Sequence, residues 1–296
     1  ETDLRMLMAT NRTDGFAPSP TGDYVAMDVR GEIVIVPSEQ GVGEMQQVTN
    51  SAWRDKAPLW SPDGAHLAYV SDESGEEEIW LFTRATGAKR KLTTHESEKT
   101  NLLWSGNSQK LVFTGANRLF EIDIASGRST ELAYNRAGGY TPTAYSADDR
   151  WLVYTRRDDD QNADVYLFEI ATRRETNITR DPFTDGNGTL TPDGTHVVFT
   201  SNRSGTGQVY VVSLARITED PNDPLVRERR ARENSGGGRG GQGGQGGQGG
   251  AEAAGDRTLT IRVDTAGIAR RAVALTTGSA AAGSPFLSRD GRTVYY

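Results

Sequence analysis

Cysteine is absent from the 296 residues. That removes thiol nucleophiles, disulfides and thiolate metal sites together. Histidine occurs three times, as His66, His95 and His196. No pair of them has zinc-ligand spacing, and no Ser-His-Asp arrangement can be argued from the sequence. No apolar run approaches the ~20 residues of a membrane-spanning helix. A basic excess is missing too: 33 Lys and Arg stand against 40 Asp and Glu, a net charge of −7. Nucleic-acid binding is not expected from that balance. The N-terminus, ETDLRMLMATN, lacks the basic and apolar regions of a signal peptide. These absences describe a soluble chain, cytoplasmic or periplasmic, with no membrane segment and no cofactor, and both ends read as cut.

What the sequence does contain is a repeat. Ser19, Ser61, Ser105, Ser146, Thr191 and Ser288 each head a similar stretch, as in SPDGAHLAYV from Ser61. Successive anchors lie 42, 44, 41, 45 and 97 residues apart. Six residues past the anchor stand Val25, Leu67, Leu111, Leu152, Val197 and Val294. Two further on stand Met27, Tyr69, Phe113, Tyr154, Phe199 and Tyr296. The tetrad Ser61-Pro62-Asp63-Gly64 is turn chemistry: proline presets φ, Asp bonds its own backbone and Gly accepts positive φ. The apolar segment after it reads as a strand. A third strand follows at 78–82, with counterparts at 118–124, 164–170 and 208–214, and a fourth ends in Val48-Thr49, Leu92-Thr93 or Ile178-Thr179.

Four strands in about 43 residues is the size of a β-propeller blade. The second strand is apolar on both faces and must be covered on both sides, which neighbouring blades provide. The expected fold is all-β: a propeller of four-stranded antiparallel blades, about five of them present from a six-bladed parent ring. The rhythm stops after Leu214. Residues 235–255 are glycine-rich, SGGGRGGQGGQGGQGGAEAAG, and glycine at that density cannot offset backbone ordering entropy. The expected domains are a first propeller over 1–218, a flexible linker over 219–256, and the opening of a second propeller over 257–296.

Few residues suggest chemistry. His66 and His196 share one repeat column and read as solvated strand edges; His95 lies in a polar loop. Asp158, Asp160, Asn162 and Asp164 take positions 1, 3, 5 and 7 of a calcium loop, with Glu169 at position 12. Position 6 is Ala163 rather than the glycine such a loop requires, so an exposed acidic hairpin is expected ahead of a calcium site. Blade geometry places Lys56, Thr100, Asn101, Thr141 and Asn187, near the starts of first strands, along a central channel.

The stretch PLWSPDGAHLAYVSDESGEEEIWLF resembles the WD40-like repeat called PD40, found in TolB and in propeller-bearing serine peptidases. Residues 31–64 and the segment TIRVDTAGIARRAVAL at 260–275 are similar to tricorn-type proteases. That resemblance implies a large serine peptidase in which a six-bladed propeller precedes a second one. The propellers would gate peptide or unfolded-polypeptide passage for the remaining domains of a homo-oligomeric parent. No catalytic residue of that family has a counterpart in this sequence, so this part of the chain is expected to hydrolyse nothing. A TolB-like scaffold for protein–protein interaction and the propeller cap of a prolyl-oligopeptidase-type hydrolase are the alternatives.

Overall fold

The computed structural model describes residues 13–39, 43–94, 97–216, 224, 227–228, 261–288 and 290–296. His95 and nearly all of the expected linker 219–256 lie outside the described residues. Among the described residues the chain forms five four-stranded antiparallel sheets and one two-stranded sheet. The first holds β1 (Thr13–Pro18), β2 (Tyr24–Val29), β3 (Glu32–Pro37) and β4 (Gln46–Gln47). The second holds β5 (Asp55–Trp60), β6 (His66–Ser71), β7 (Glu78–Thr83) and β8 (Ala88–Lys91). The third holds β9 (Thr100–Trp104), β10 (Lys110–Gly115), β11 (Arg118–Asp123) and β12 (Ser129–Tyr134). The fourth holds β13 (Tyr140–Tyr145), β14 (Trp151–Arg157), β15 (Ala163–Glu169) and β16 (Arg174–Asn177). The fifth holds β17 (Asp185–Leu190), β18 (His196–Ser201), β19 (Gln208–Ser213) and β20 (Val273–Ala274), and the last pairs β21 (Phe286–Leu287) with β22 (Val294–Tyr295).

The repeat anchor is a hydrogen-bonded turn. Ser61 Oγ donates to Asp63 Oδ1 at 2.6 Å and accepts from His66 N at 2.9 Å. The same pair of bonds recurs at Ser105, Ser146, Thr191 and Ser288. Three residues past each anchor the backbone is left-handed. Glycine fills that place at 22, 64, 194 and 291, but Ser108 and Asp149 also adopt it, with φ of 61° and 55°. Those two side chains tie neighbouring turns together. Ser108 Oγ accepts from Asp63 N at 3.1 Å, and the Asp149 carboxylate accepts from Gly106 N at 2.6 Å and Asn107 N at 2.9 Å.

The core lies between successive sheets, as the apolar second strands require. Leu67 and Tyr69 of β6 pack toward the first sheet, with Ile33, Ile35 and Val48. Ala68 packs the other way, with Leu111 and Phe113 of the third sheet. Val112 faces the fourth sheet beside Leu152 and Tyr154, and Val153 faces the fifth beside Val197 and Phe199. Alternate residues of one strand thus serve two cores, the period-2 geometry of a strand. Each buried aromatic hides on the order of 150–250 Å², which at roughly 25 cal/mol per Å² contributes several kcal/mol as an upper value.

The end of the chain departs from the sequence reading. β20 pairs with β19 through Tyr210↔Ala274 and Val211↔Val273. The segment expected to open a second propeller therefore completes the fifth sheet, and β21–β22 begin a sixth copy of the same repeat. The 97-residue spacing is one period interrupted between third and fourth strands. A sequence signal for this exists. Thr49, Thr93, Thr179 and Thr276 each stand twelve residues before an anchor. Each hydroxyl accepts from a backbone N–H near the start of its own third strand: Ile33, Ile79, Val165 and Val209.

Both ends of the excursion are clamped. Asp264 N donates to Leu214 O at 2.9 Å, and Arg216 meets Asp264 at 3.3 Å. Arg271 donates to Ser213 O and Leu214 O, while Ile261 and Ile268 bury against Leu214. Deleting 219–256 shortens the connection between Arg216 and Ile261 by about three halvings, each worth about 0.6 kcal/mol of loop-closure entropy. The deletion is expected to raise stability by roughly 1–2 kcal/mol with a single cooperative urea transition. A loss of cooperativity would show that the fifth sheet depends on the excursion.

Candidate functional site

First strands touch each other from sheet to sheet: β1 with β5, β9 with β13, and β13 with β17. Among the described residues fourth strands make no comparable approach, so the first strands are the ones that lie closest from sheet to sheet. Each carries a register shift. At the bulge, four residues before the anchor, Ala57, Asn101, Asn187 and Ser284 have φ between 50° and 54°. Ser284 marks the sixth copy by this feature as surely as its turn does. A bulge aims side chains away from the ladder and toward the centre.

Lys56, Thr100 and Asn101 line a cavity of 380 Å³ with Phe16 and Lys99. Lys56 is ion-paired to Glu77. Thr100 Oγ1 meets Thr114 Oγ1 at 3.0 Å, and Asn101 Nδ2 donates to Thr114 Oγ1 at 2.9 Å and to Tyr140 O, in the next sheet, at 3.2 Å. Asn187 lines a second cavity, of 510 Å³, with Thr143, Ser284 and Phe286. Thr141 is exposed at the start of β13 and borders neither cavity. The lining is chiefly threonine, asparagine, serine, glycine and apolar groups.

The acidic hairpin brings only part of the set together, with Asn162 Nδ2 donating to Asp164 Oδ1 at 3.4 Å. Asp158 Oδ1 accepts from Asn162 N at 2.9 Å within the turn, Asp160 is exposed, and Glu169 accepts from Thr172 Oγ1 at 2.6 Å. Asn162 Nδ2 donates to Asp181 O at 2.6 Å. Asp164 is buried, with Asn177 and Thr179 donating to it at 2.8 and 3.0 Å. Its carboxylate neighbours are Asp181 and Asp185, a group that sequence spacing does not reveal. Arg203 pairs with two of the three, 2.6 Å from Asp181 and 3.4 Å from Asp185. A guanidinium there does the work of a cation, so the cluster reads as a structural clasp between the fourth and fifth sheets.

Burial pushes the Asp185 carboxyl up to about 6, with Asp181 adding to the rise and Ser201 and Arg203 opposing it. Burial raises Asp164 and Asp55 as well. For Asp185 the folded value lies above the unfolded one, so its contribution is full below about pH 4 and is lost as pH climbs through 6. A shift of that size is worth about 3 kcal/mol. Asp185→Asn should therefore flatten the stability profile: relative to the parent, the variant gains up to about 3 kcal/mol between pH 4 and pH 7. Urea midpoints at the two pH values measure this, and parallel profiles would contradict it.

The second and third sheets meet at a different pair. Lys99 Nζ lies 3.1 Å from Glu78 Oε2, both side chains buried, and Thr93 donates to the same carboxylate. The histidines are peripheral: His66 Nδ1 is 3.3 Å from Thr83 Oγ1 and His196 Nδ1 is 2.7 Å from Thr195 Oγ1.

Residues 19–163 match the profile of PD40, the TolB beta propeller domain. The chain's repeats are similar to the Tol-Pal system protein TolB of Bordetella pertussis, 30% identical over 158 residues, covering 53% of this chain and 27% of that protein. The chain spans about a quarter of the length of such relatives. Among solved structures, a TolB-type protein from Agrobacterium tumefaciens superposes with TM-score 0.52 at 21% identity, over 68% of this chain and 77% of that one. The tricorn protease superposes with TM-score 0.66 at 13% identity, over 93% of this chain and 26% of that one. At those identities the likeness is one of fold.

Proposed function

We propose that this PD40 propeller is a non-catalytic scaffold that binds polypeptide at its centre. The observation that carries this is the pair of cavities along the bulged first strands, lined by Asn101, Asn187, Thr100 and Ser284. Short neutral side chains of this kind exchange hydrogen bonds with a peptide backbone without selecting for charge. A relative named for the Tol-Pal system fits a role in protein–protein contact. A labelled mixed-sequence peptide is expected to bind with an affinity that Asn101→Trp and Asn187→Trp reduce at least tenfold and that salt barely alters. Unchanged affinity in both variants would refute the central site.

The second reading is gating of peptide passage for a tricorn-like serine protease, with the catalytic groups elsewhere in a larger assembly. The superposition of nearly the whole chain on the tricorn protease favours it. Under either reading, the chain by itself leaves fluorogenic peptides uncleaved, and turnover by the purified chain would overturn both.

A further inference from the structure

We infer that the end of the sheets where second strands turn into third strands carries a docking surface for an arginine-bearing polypeptide, built from Trp53, Phe183 and the two acidic hairpins beside them. The surface lies outside the central cavities and does not rest on the reading above.

Trp53 and Phe183 hold the same place in the repeat, eight residues before Ser61 and Thr191. Both lie on connections from a fourth strand to the next first strand, Trp53 between β4 and β5 and Phe183 between β16 and β17. Their backbones are pinned alike. Arg54 N donates to Asp72 Oδ1 at 2.7 Å, and Thr184 N donates to Asn202 Oδ1 at 2.9 Å. Asp72 N and Asn202 N return bonds to Arg54 O and Thr184 O. The N–H of each aromatic residue bonds the side chain two residues back, Ser51 Oγ at 3.2 Å for Trp53 and Asp181 Oδ1 at 2.9 Å for Phe183. Yet the rings stand in water, 49% and 40% exposed. The repeat does not need a ring there, since Ser97, Gly138 and Ala280 occupy the same position in other copies. Aromatic groups held ready on a fixed backbone suit contact with a partner, because little ordering remains to oppose binding.

The acid beside them specifies the occupant. Asp72 begins the hairpin between β6 and β7, which also holds Glu73, Glu76 and Glu77. The hairpin between β14 and β15 holds Asp158, Asp159 and Asp160, and Asn162 Nδ2 ties it to the Phe183 connection through Asp181 O at 2.6 Å. Over these hairpins and the connections 50–54 and 178–184, eight carboxylates stand against two guanidiniums, Arg54 and Arg180. Lys56 pairs with Glu77 and Arg136 with Asp159, whereas Glu73, Glu76 and Asp160 are exposed. A planar cation fits between a ring and a carboxylate, and the chain itself makes that pairing. Arg156 lies over Tyr166, 4.1 Å from the ring centre, while its Nε donates to Glu175 at 3.0 Å. Arginine stacks and forks in this way, whereas the lysine ammonium offers a point charge. The occupant is therefore a separate polypeptide segment carrying arginine.

The probe is a fluorescein-labelled peptide with arginine at every third position, GSRGSRGSR, read by anisotropy against the whole 296-residue protein. Saturable binding is expected, at least tenfold tighter than for the same peptide with citrulline in place of arginine, and at least threefold tighter than with lysine. Affinity should fall at least tenfold between about 50 mM and about 300 mM salt, because exposed charges are screened. Trp53→Ser combined with Phe183→Ser, a residue the repeat already carries at 97, should weaken binding at least tenfold and leave the urea midpoint in place. Glu73→Gln combined with Glu76→Gln should weaken it at least threefold and flatten the salt dependence. Asn101→Trp should leave it unchanged; a loss there places the peptide in the centre and overturns this surface. Absence of binding overturns it too, as do equal affinity for the citrulline or lysine peptide and aromatic variants that bind like the parent. Self-association of the parent that Trp53→Ser abolishes, seen by sedimentation, would give the surface to a second copy and overturn it likewise.

Discussion

Phe113→Ala is expected to lower the unfolding free energy by about 3–5 kcal/mol, the range for emptying a large aromatic site in a packed core. Phe113 sits in the middle of β10 with no exposed surface, stacked on Phe120 at 4.9 Å with planes 13° apart. Its cluster draws on two sheets, with Ala68, Ile79 and Leu81 on one side and Leu111 and Ile122 on the other. Two sheets held by their own ladders cannot collapse into the space a benzyl group leaves, so the cavity persists. Tyr296 occupies the same repeat column without that cover. Tyr296→Ala should cost under about 0.5 kcal/mol, as exposed substitutions do. Urea denaturation of the two variants measures the contrast, and similar losses would mean that the column is not buried by neighbouring sheets.

Lys99→Met is the second large effect, at about 3–5 kcal/mol. The substitution leaves the Glu78 carboxylate buried without its cation, and a stranded buried charge is what makes breaking such pairs costly. Thr93 remains as a donor and limits the loss without removing it. The double variant Glu78→Gln with Lys99→Met should regain most of the stability, because a neutral amide still accepts from Thr93 and the methionine fills the lysine's volume. A double variant no better than Lys99→Met would show that packing of the lysine stem, rather than charge pairing, sets the cost.

The blade pattern was legible because it rests on apolar periodicity. Leu67, Leu111, Leu152 and Val197 share a column, and each is buried between sheets for the same reason. The turn was legible as well, since proline, Asp and glycine chemistry at Ser61 is local. The junctions were not. Six residues before the anchor the chain carries Asp55, Lys99, Tyr140 and Asp185, three chemistries in one structural position. Two of them are balanced by partners from other elements, Glu78 of β7 for Lys99 and Arg203 for Asp185. Only the folded ring brings those together. Asp164 illustrates the limit: spacing grouped it with Asp158 and Asp160, whereas the sheet turns it inward to Asp181 and Asp185.

The fate of residues after Leu214 was misread for a different reason. Glycine-rich sequence suggests a boundary between domains, and the tricorn likeness of 260–275 reinforced that. Hydrogen bonding decides otherwise. Thr276 accepts from Val209 N and donates to Gln208 Oε1, closing the fifth sheet as Thr93 and Thr179 close the second and fourth. The central residues were partly legible. Lys56, Thr100 and Asn101 line one cavity and Asn187 another, which leaves open a shared channel, and the left-handed bulge beside them has no sequence signature, being filled by Ala57, Asn101, Asn187 and Ser284 alike.

Amide hydrogen exchange along the second strands tests the central claim most directly. If neighbouring sheets cover both faces of β10, β14 and β18, the amides of 111–113, 152–154 and 197–199 exchange only through global unfolding and respond together to added urea. Exchange of those amides within minutes at neutral pH, or at rates matching the exposed edge at 294–296, would contradict stacked blades and with them every site described above.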